Sequence, residues 1–303
     1  MKTQTFGIEI EFNGITRVKA AQVIADHFGT RVDYRGHIYD MRQIPDTQGR
    51  LWKIVSDASV EGPTDERCEL VSPICHWADI ELVQELVRKL RESGAKAHSS
   101  CGIHVHIGKG AHTAKTLRNL VNIVNAKEDL LTHSLGISET RRGRWCKAVD
   151  PAFLERLNRR KPKDLEHFAR LWYNVRTDTE ARGEASVHYH NSRYHLLNLH
   201  STFQKGTIEF RAFNSTLHAG KVKSYIQLCM AISDSALRAT SASPNRPVTD
   251  NPKYAFRCWL LKLGFIGDEF ATARKHLTDN LPGNSAWRHG TPERQNVQDA
   301  EAA

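Results

Sequence analysis

The chain has 303 residues, with 43 Lys and Arg against 34 Asp and Glu, a formal net charge of +9. At 40% apolar and 25% charged it is too apolar for a disordered chain, and no apolar run approaches the roughly 18 residues that span a bilayer. The length suits one large domain or two small ones, with ample material for a core. Glu9 and Glu11 occupy the stretch that a signal peptide would keep apolar. A soluble, cytoplasmic protein with no membrane partner is therefore expected. The six cysteines form no C-x-x-C pair, which points to buried thiols rather than a zinc or disulfide framework.

In chain order, Phe6, Ile8, Ile10 and Phe12 alternate with Gly7, Glu9 and Glu11. That period of two predicts a strand with one apolar and one acidic face. Residues 17–28 read as a helix stopped by Gly29. Residues 51–56 and 68–72 read as strands. An apolar stripe through Ile80, Val83, Leu86, Val87 and Leu90 predicts a helix over 77–93. Residues 102–107 alternate again, Ile103, Val105 and Ile107 against His104 and His106. A long helix is expected from Ala114 to about Leu131. Residues 136–163 look irregular and basic. A helix over 164–173, strands over 194–200 and 206–213, and helices over 219–238, 253–263 and 267–277 complete the pattern. The class is α+β, with helices inserted between strands. Residues 1–281 form one body, and 282–303 read as a polar, loosely ordered tail.

Several strands carry chemistry. Glu9 and Glu11 present two carboxylates on one face, a repulsion that water or a cation relieves. His104 and His106 repeat that spacing with imidazoles, which suit a divalent ion or a phosphate. Glu209 and Arg211 share a face, as an ordinary cross-strand ion pair would, or as a metal ligand beside a phosphate-binding fork. Glu69 opens a further strand. Asp57 lies on the loop before it, where an Asx-turn is the plain explanation. Arg193 reads as a surface charge near a strand. Each feature alone is ordinary. On one sheet they would gather four carboxylates, two imidazoles and an arginine on a face too costly to bury without cations. Oxygen ligands in that number favour Mg²⁺ or Mn²⁺ over zinc, and an arginine beside them suits phosphate chemistry.

The ordered segments GIEIEF, CELVSP, CGIHVHI, RYHLLNL and TIEFRAFNSTL, from Gly7 to about Leu217, resemble the amidoligase family. These are carboxylate–amine ligases of the glutamine synthetase and gamma-glutamylcysteine ligase superfamily. The resemblance implies a curved, mostly antiparallel sheet forming a funnel, with helices packed on its outer face. It implies that ATP and two or three Mg²⁺ ions activate a substrate carboxylate as an acyl phosphate, which an amine of an amino acid, peptide or protein converts to an amide. By position, Glu9, Glu11, Glu69 and Glu209 would hold metal, with Asp57 a companion. His104 would approach a metal or the phosphates, with His106 as the second choice. Arg211 would stabilise the transferring phosphoryl group and Arg193 would bind phosphate or substrate. The segments 136–190 and beyond about 240 add nothing to this likeness.

The basic excess is local. Residues 1–75 hold nine basic and eleven acidic side chains, whereas 141–163 hold nine basic against two acidic. That stretch reads as a solvated loop, or as a lid or docking surface for ATP phosphates or an acidic partner. Two other functions use the same features: a metal-dependent hydrolase or nuclease working through the carboxylates and histidines, and a nucleic-acid-binding module footed on the basic stretch. The Glu9–Glu11 face opposes the last, because clustered carboxylates repel phosphates unless metals intervene.

Overall fold

The computed structural model describes residues 1–288. β1 (Phe6–Phe12) is followed by α1 (Arg17–Phe28), β2 (Asp33–Gly36), β3 (Met41–Pro45), β4 (Leu51–Ser56) and β5 (Cys68–Val71). α2 (Ile80–Glu92) leads to β6 (Gly102–Gly108) and the long α3 (Ala114–Ser134). Then come α4 (Glu139–Arg144), α5 (Pro151–Arg160), α6 (Leu165–Tyr173), α7 (Asp178–Ser186), a two-residue β7 (Leu197–Asn198), α8 (His200–Gln204) and β8 (Thr207–Asn214). α9 (Ala219–Arg238), α10 (Pro252–Lys262) and α11 (Ala271–Thr278) close the described chain. The strands form one open eight-stranded sheet in the order β2-β3-β4-β5-β1-β6-β8-β7, and every pairing is antiparallel. The α+β class and the antiparallel sheet with helices alongside are as expected.

The alternation in β1 and β6 decides which face is covered. Ile8, Ile10, Ile103, Val105 and Ile107 are fully buried, and α9 lies against β1 and β6 on that side while α1 lies against β3 and β4. Local signals set the helix ends. Thr16 Oγ1 accepts the Lys19 amide at the start of α1, and Gly29 ends it with φ 65°, a left-handed turn that suits glycine. Arg17, buried at the first turn of α1, donates to Asp40 Oδ2 at 2.7 Å and to the carbonyls of Thr64 and Arg67 at 2.6 and 3.1 Å. It thereby ties the helix to the segment that leads into β5. Arg17→Ala strands these acceptors, and is expected to lower the free energy of unfolding in urea by about 3 kcal/mol; a change below about 0.5 kcal/mol would contradict that role.

Some elements depart from expectation. The stretch 136–163 is not irregular but holds α4 and α5. Ser138 caps the first and Asp150 the second, with Pro151 at its first position. Arginine is a good helix former, and Phe153 and Leu157 bury one side of α5; charge on the exposed side masked that stripe. The segment is also fastened, through the Glu128 carboxylate accepting the Val149 amide at 2.9 Å and an Asn122–Asn158 side-chain pair. α7 begins with a reciprocal cap between Thr177 and Glu180. β2 and β3 form an edge hairpin whose first strand is exposed on both faces, so it carries no alternation to read. The strand expected over 194–200 shrinks to Leu197–Asn198, because a 3₁₀ turn occupies Asn191–Arg193 and a helix starts at His200. Of the expected tail, Asn251 holds the carbonyls of Asn284 and Trp287 at 3.0 and 2.8 Å, and 289–303 lies outside the described residues. Among the described residues no helix is long and apolar enough to cross a membrane.

Candidate active site

The register brings the acidic and imidazole residues together. Glu11 lies opposite Glu69, Glu9 opposite His104, and His106 opposite Glu209. Asn198 of β7 lies on the other flank of Glu209. Opposed residues of an antiparallel pair share a face, so a polar row crosses β5, β1, β6, β8 and β7 on the face away from Ile8 and Ile10. A bulge then adjusts β8: Val105 pairs with Phe210 but Ile103 with Phe213, so β8 spends one extra residue opposite His104. Arg211 sits at that bulge.

Glu9 is the hub. Its Oε2 lies 3.0 Å from His104 Nδ1 and its Oε1 lies 3.3 Å from His106 Nε2. His106 Nδ1 lies 3.1 Å from Thr207 Oγ1, while its buried Nε2 makes no hydrogen bond. Glu11 Oε2 accepts the Gly102 amide at 2.6 Å. Asp57 does form the Asx-turn, accepting the amide and hydroxyl of Ser59 at 2.6 Å, yet its carboxylate also meets Glu11 and Glu69. Three groups result: Glu9, His106 and Glu209; Glu9, Glu69 and His104; Glu11, Asp57 and Glu69. Within each, one ligand atom per residue lies within 4.8 Å of the others. Shared carboxylates can bridge neighbouring ions, and the oxygen-rich donor set fits hard divalent cations such as Mg²⁺ or Mn²⁺.

Electrostatics sharpen the picture. Burial, and then the Asp57 charge, push the Glu11 carboxyl up to about 7. Burial with the charges of Glu9, Glu11 and Asp57 holds Glu69 well above the usual carboxylate range. Burial also opposes ionisation of Glu9, but the charge of His106, the hydrogen bond with His104 and the close imidazoles of both histidines outweigh it and hold Glu9 well below that range. At Glu209 burial is likewise overcome, by His106, Arg211 and His104, and the carboxyl falls to about 2. Burial and then Arg211 push His104 down to about 4, whereas Glu9 and Glu209 overcome burial and raise His106. Like carboxylates that must share protons are a place where cations substitute for those protons.

Arg211 is buried and donates to Glu209 Oε1 at 2.5 Å, while its Nε has no partner. Arg193 lies off the sheet, on the 3₁₀ turn before β7. Its guanidinium stands 5.8 Å from the Tyr194 ring, which also lies 5.9 Å from the Arg211 guanidinium. Arg193 thus shares Tyr194 with Arg211, while it also stacks on Tyr189 at 5.4 Å and donates to the His188 carbonyl at 3.2 Å. Three neighbours escaped sequence reasoning. Asn198 is buried and donates to Glu209 Oε2 at 2.7 Å; only its place in RYHLLNL hinted at it. Thr207 backs His106. Arg141, from the basic stretch, enters the row beside Gly102, and no periodicity marks it.

A family profile described as putative amidoligase enzyme matches residues 2–233. The chain belongs to that family. It is thereby placed among enzymes of ligase type, whose substrates would carry a carboxylate and an amine. No curated protein matches the chain.

Proposed function

We propose that the protein is an ATP-dependent carboxylate–amine ligase working through an acyl phosphate. The observation that carries this reading is a buried arginine, Arg211, beside a row of carboxylates and imidazoles that cross four strands. In this reading Glu9, Glu11, Asp57, Glu69 and Glu209, with His104 and His106, would hold Mg²⁺ or Mn²⁺. The metal, when bound, would neutralise the acids and polarise phosphoryl oxygens. Arg211, freed from full engagement with Glu209, would offer its fork to the phosphoryl group in transfer. Arg193 would steady phosphate or substrate near Tyr194. The substrate carboxylate oxygen attacks the γ-phosphorus of ATP and ADP leaves. The amine nitrogen then attacks the acyl carbon, phosphate departs, and the nitrogen gives up a proton. The exposed remainder of the basic stretch, Arg142, Arg144 and Lys147 among it, suits an acidic peptide or protein substrate.

A hydrolase would use the same acids with bound water. The family match and the pairing of Glu209 with Arg211 favour the ligase. The test is incubation with ATP, Mg²⁺ and pools of amino acids and peptides, followed by ADP release and mass spectrometry. Products lighter by one water than their summed parts, formed only with ATP, are expected. Metal-dependent cleavage without ATP would sink the reading. Asn198 supplies a further check. Asn198→Ala removes the hydrogen bond that orients Glu209 and should weaken Mn²⁺ binding by about 10–100-fold, as read by titration calorimetry; unchanged affinity would free Glu209 of that dependence.

A further inference from the structure

Arg141 is 4% exposed, and it is unlike the other buried arginine outside the row. Arg17 finds a carboxylate and two carbonyls. Arg141 makes one long hydrogen bond from its guanidinium, to the Arg211 carbonyl at 3.4 Å, beside the Cys146 thiol, and its buried Nε has no partner. Among the described residues no carboxylate lies within ion-pair distance of it. A guanidinium has five donors and never deprotonates, so burying it this way costs several kcal/mol unless an anion is supplied. Its position is specific. Gly102 precedes His104 by two residues on β6 and so faces the polar row, and a Cβ there would collide with the Arg141 guanidinium. The basic stretch thus threads one arginine into a gap that only glycine leaves open. Glu11 lies beside it, hydrogen-bonded to the Gly102 amide, and the Arg211 side chain has its own unpartnered Nε.

We propose that Arg141 is a binding residue of this site, forming with Arg211 a two-guanidinium clamp for one substrate-borne oxyanion, carboxylate or phosphoryl, at the Glu11 end of the row. The planar fork of each arginine suits either oxyanion in bidentate fashion. This rests on the ligase reading only for the origin of the oxyanion, and binding separates the two ideas. The full chain with Mg²⁺ is titrated with a non-hydrolysable ATP analogue and, separately, with simple mono- and dicarboxylates from acetate to glutarate. Arg141→Met, and Gly102→Ala as an independent way to displace the guanidinium, should each weaken one class at least tenfold and leave the other within twofold. Loss of the nucleotide analogue assigns a phosphoryl group; loss of the carboxylates assigns the carboxylate. Mn²⁺ affinity should be no weaker than in the wild type. Wild-type affinities for both classes in both variants would overturn the proposal. So would a wild-type protein that binds neither class, or a parallel loss of Mn²⁺, which would make Arg141 structural. If wild-type protein still forms amide products from ATP in any of these cases, the ligase reading stands while the clamp falls.

Discussion

Glu9→Gln is expected to reduce turnover by at least about 100-fold while the protein stays folded. Glu9 belongs to two of the three ligand groups and lies near both histidines, so an amide there removes the charge that two ions would share. The isosteric change leaves the β1 pairing and the apolar face untouched. Glu209→Gln should be similarly inactive but less stable, because Arg211 would be left buried without its carboxylate, a loss of about 3–5 kcal/mol when one partner of such a pair is removed. The two variants therefore separate catalysis from folding. Product formation, far-ultraviolet circular dichroism and thermal midpoint are the measurements. Wild-type rates in both variants would show that the row is not the site of reaction.

The second large effect is a reversal of pH dependence by metal. In the metal-free protein the Glu11 carboxyl titrates at about 7, against about 4.3 for an unfolded glutamate. The folded state holds a proton that the unfolded chain has released. Its contribution is therefore complete below the unfolded value and is lost as pH rises through 7. Glu69 shifts in the same direction. At about 1.4 kcal/mol per unit, Glu11 alone accounts for on the order of 4 kcal/mol. Glu9 and Glu209 act oppositely: their stabilisation is present above the unfolded carboxylate value and fades in stronger acid, toward about 2 for Glu209. His104, pushed down to about 4, gains stability as pH rises toward the unfolded imidazole value of about 6.5 and offsets the decline there, so metal-free protein should lose stability mainly from about pH 6.5 to 8. Saturating Mg²⁺ or Mn²⁺ should cancel or invert that decline, since ions replace the shared protons and bind the folded state alone. Thermal midpoints across that range, with chelator and with metal, decide it. A metal-free midpoint that rises with pH would contradict the carboxylate cluster.

What was legible in the sequence follows the physics of each signal. Alternation in residues 6–12 and 102–107 revealed which side chains share a face, because the pleat has a strict period of two. It could not show that Glu9 meets His104 or that Glu11 meets Glu69, since register depends on loops and neighbouring strands. Arg211 was legible as a partner of Glu209, but the bulge that positions it was not. Arg141 was invisible for another reason. It lies in a segment crowded with arginines, and what singles it out is the missing side chain at Gly102, a residue 39 positions away. The Thr177–Glu180 cap is legible in its T-x-x-E spacing alone. The edge strand Asp33–Gly36 offered nothing, because neither of its faces is buried.

The polar row runs across the strands rather than along any of them. Residues 9, 69, 104 and 209 meet only when β5, β1, β6 and β8 have all paired in register. Those contacts close long loops, which are slow to form, and no isolated hairpin carries a complete ligand group. If the row holds metal as proposed, cation binding would thus be withheld from partly folded chains. The ion would act as a late lock on a finished topology, and would not serve as the seed around which the sheet assembles.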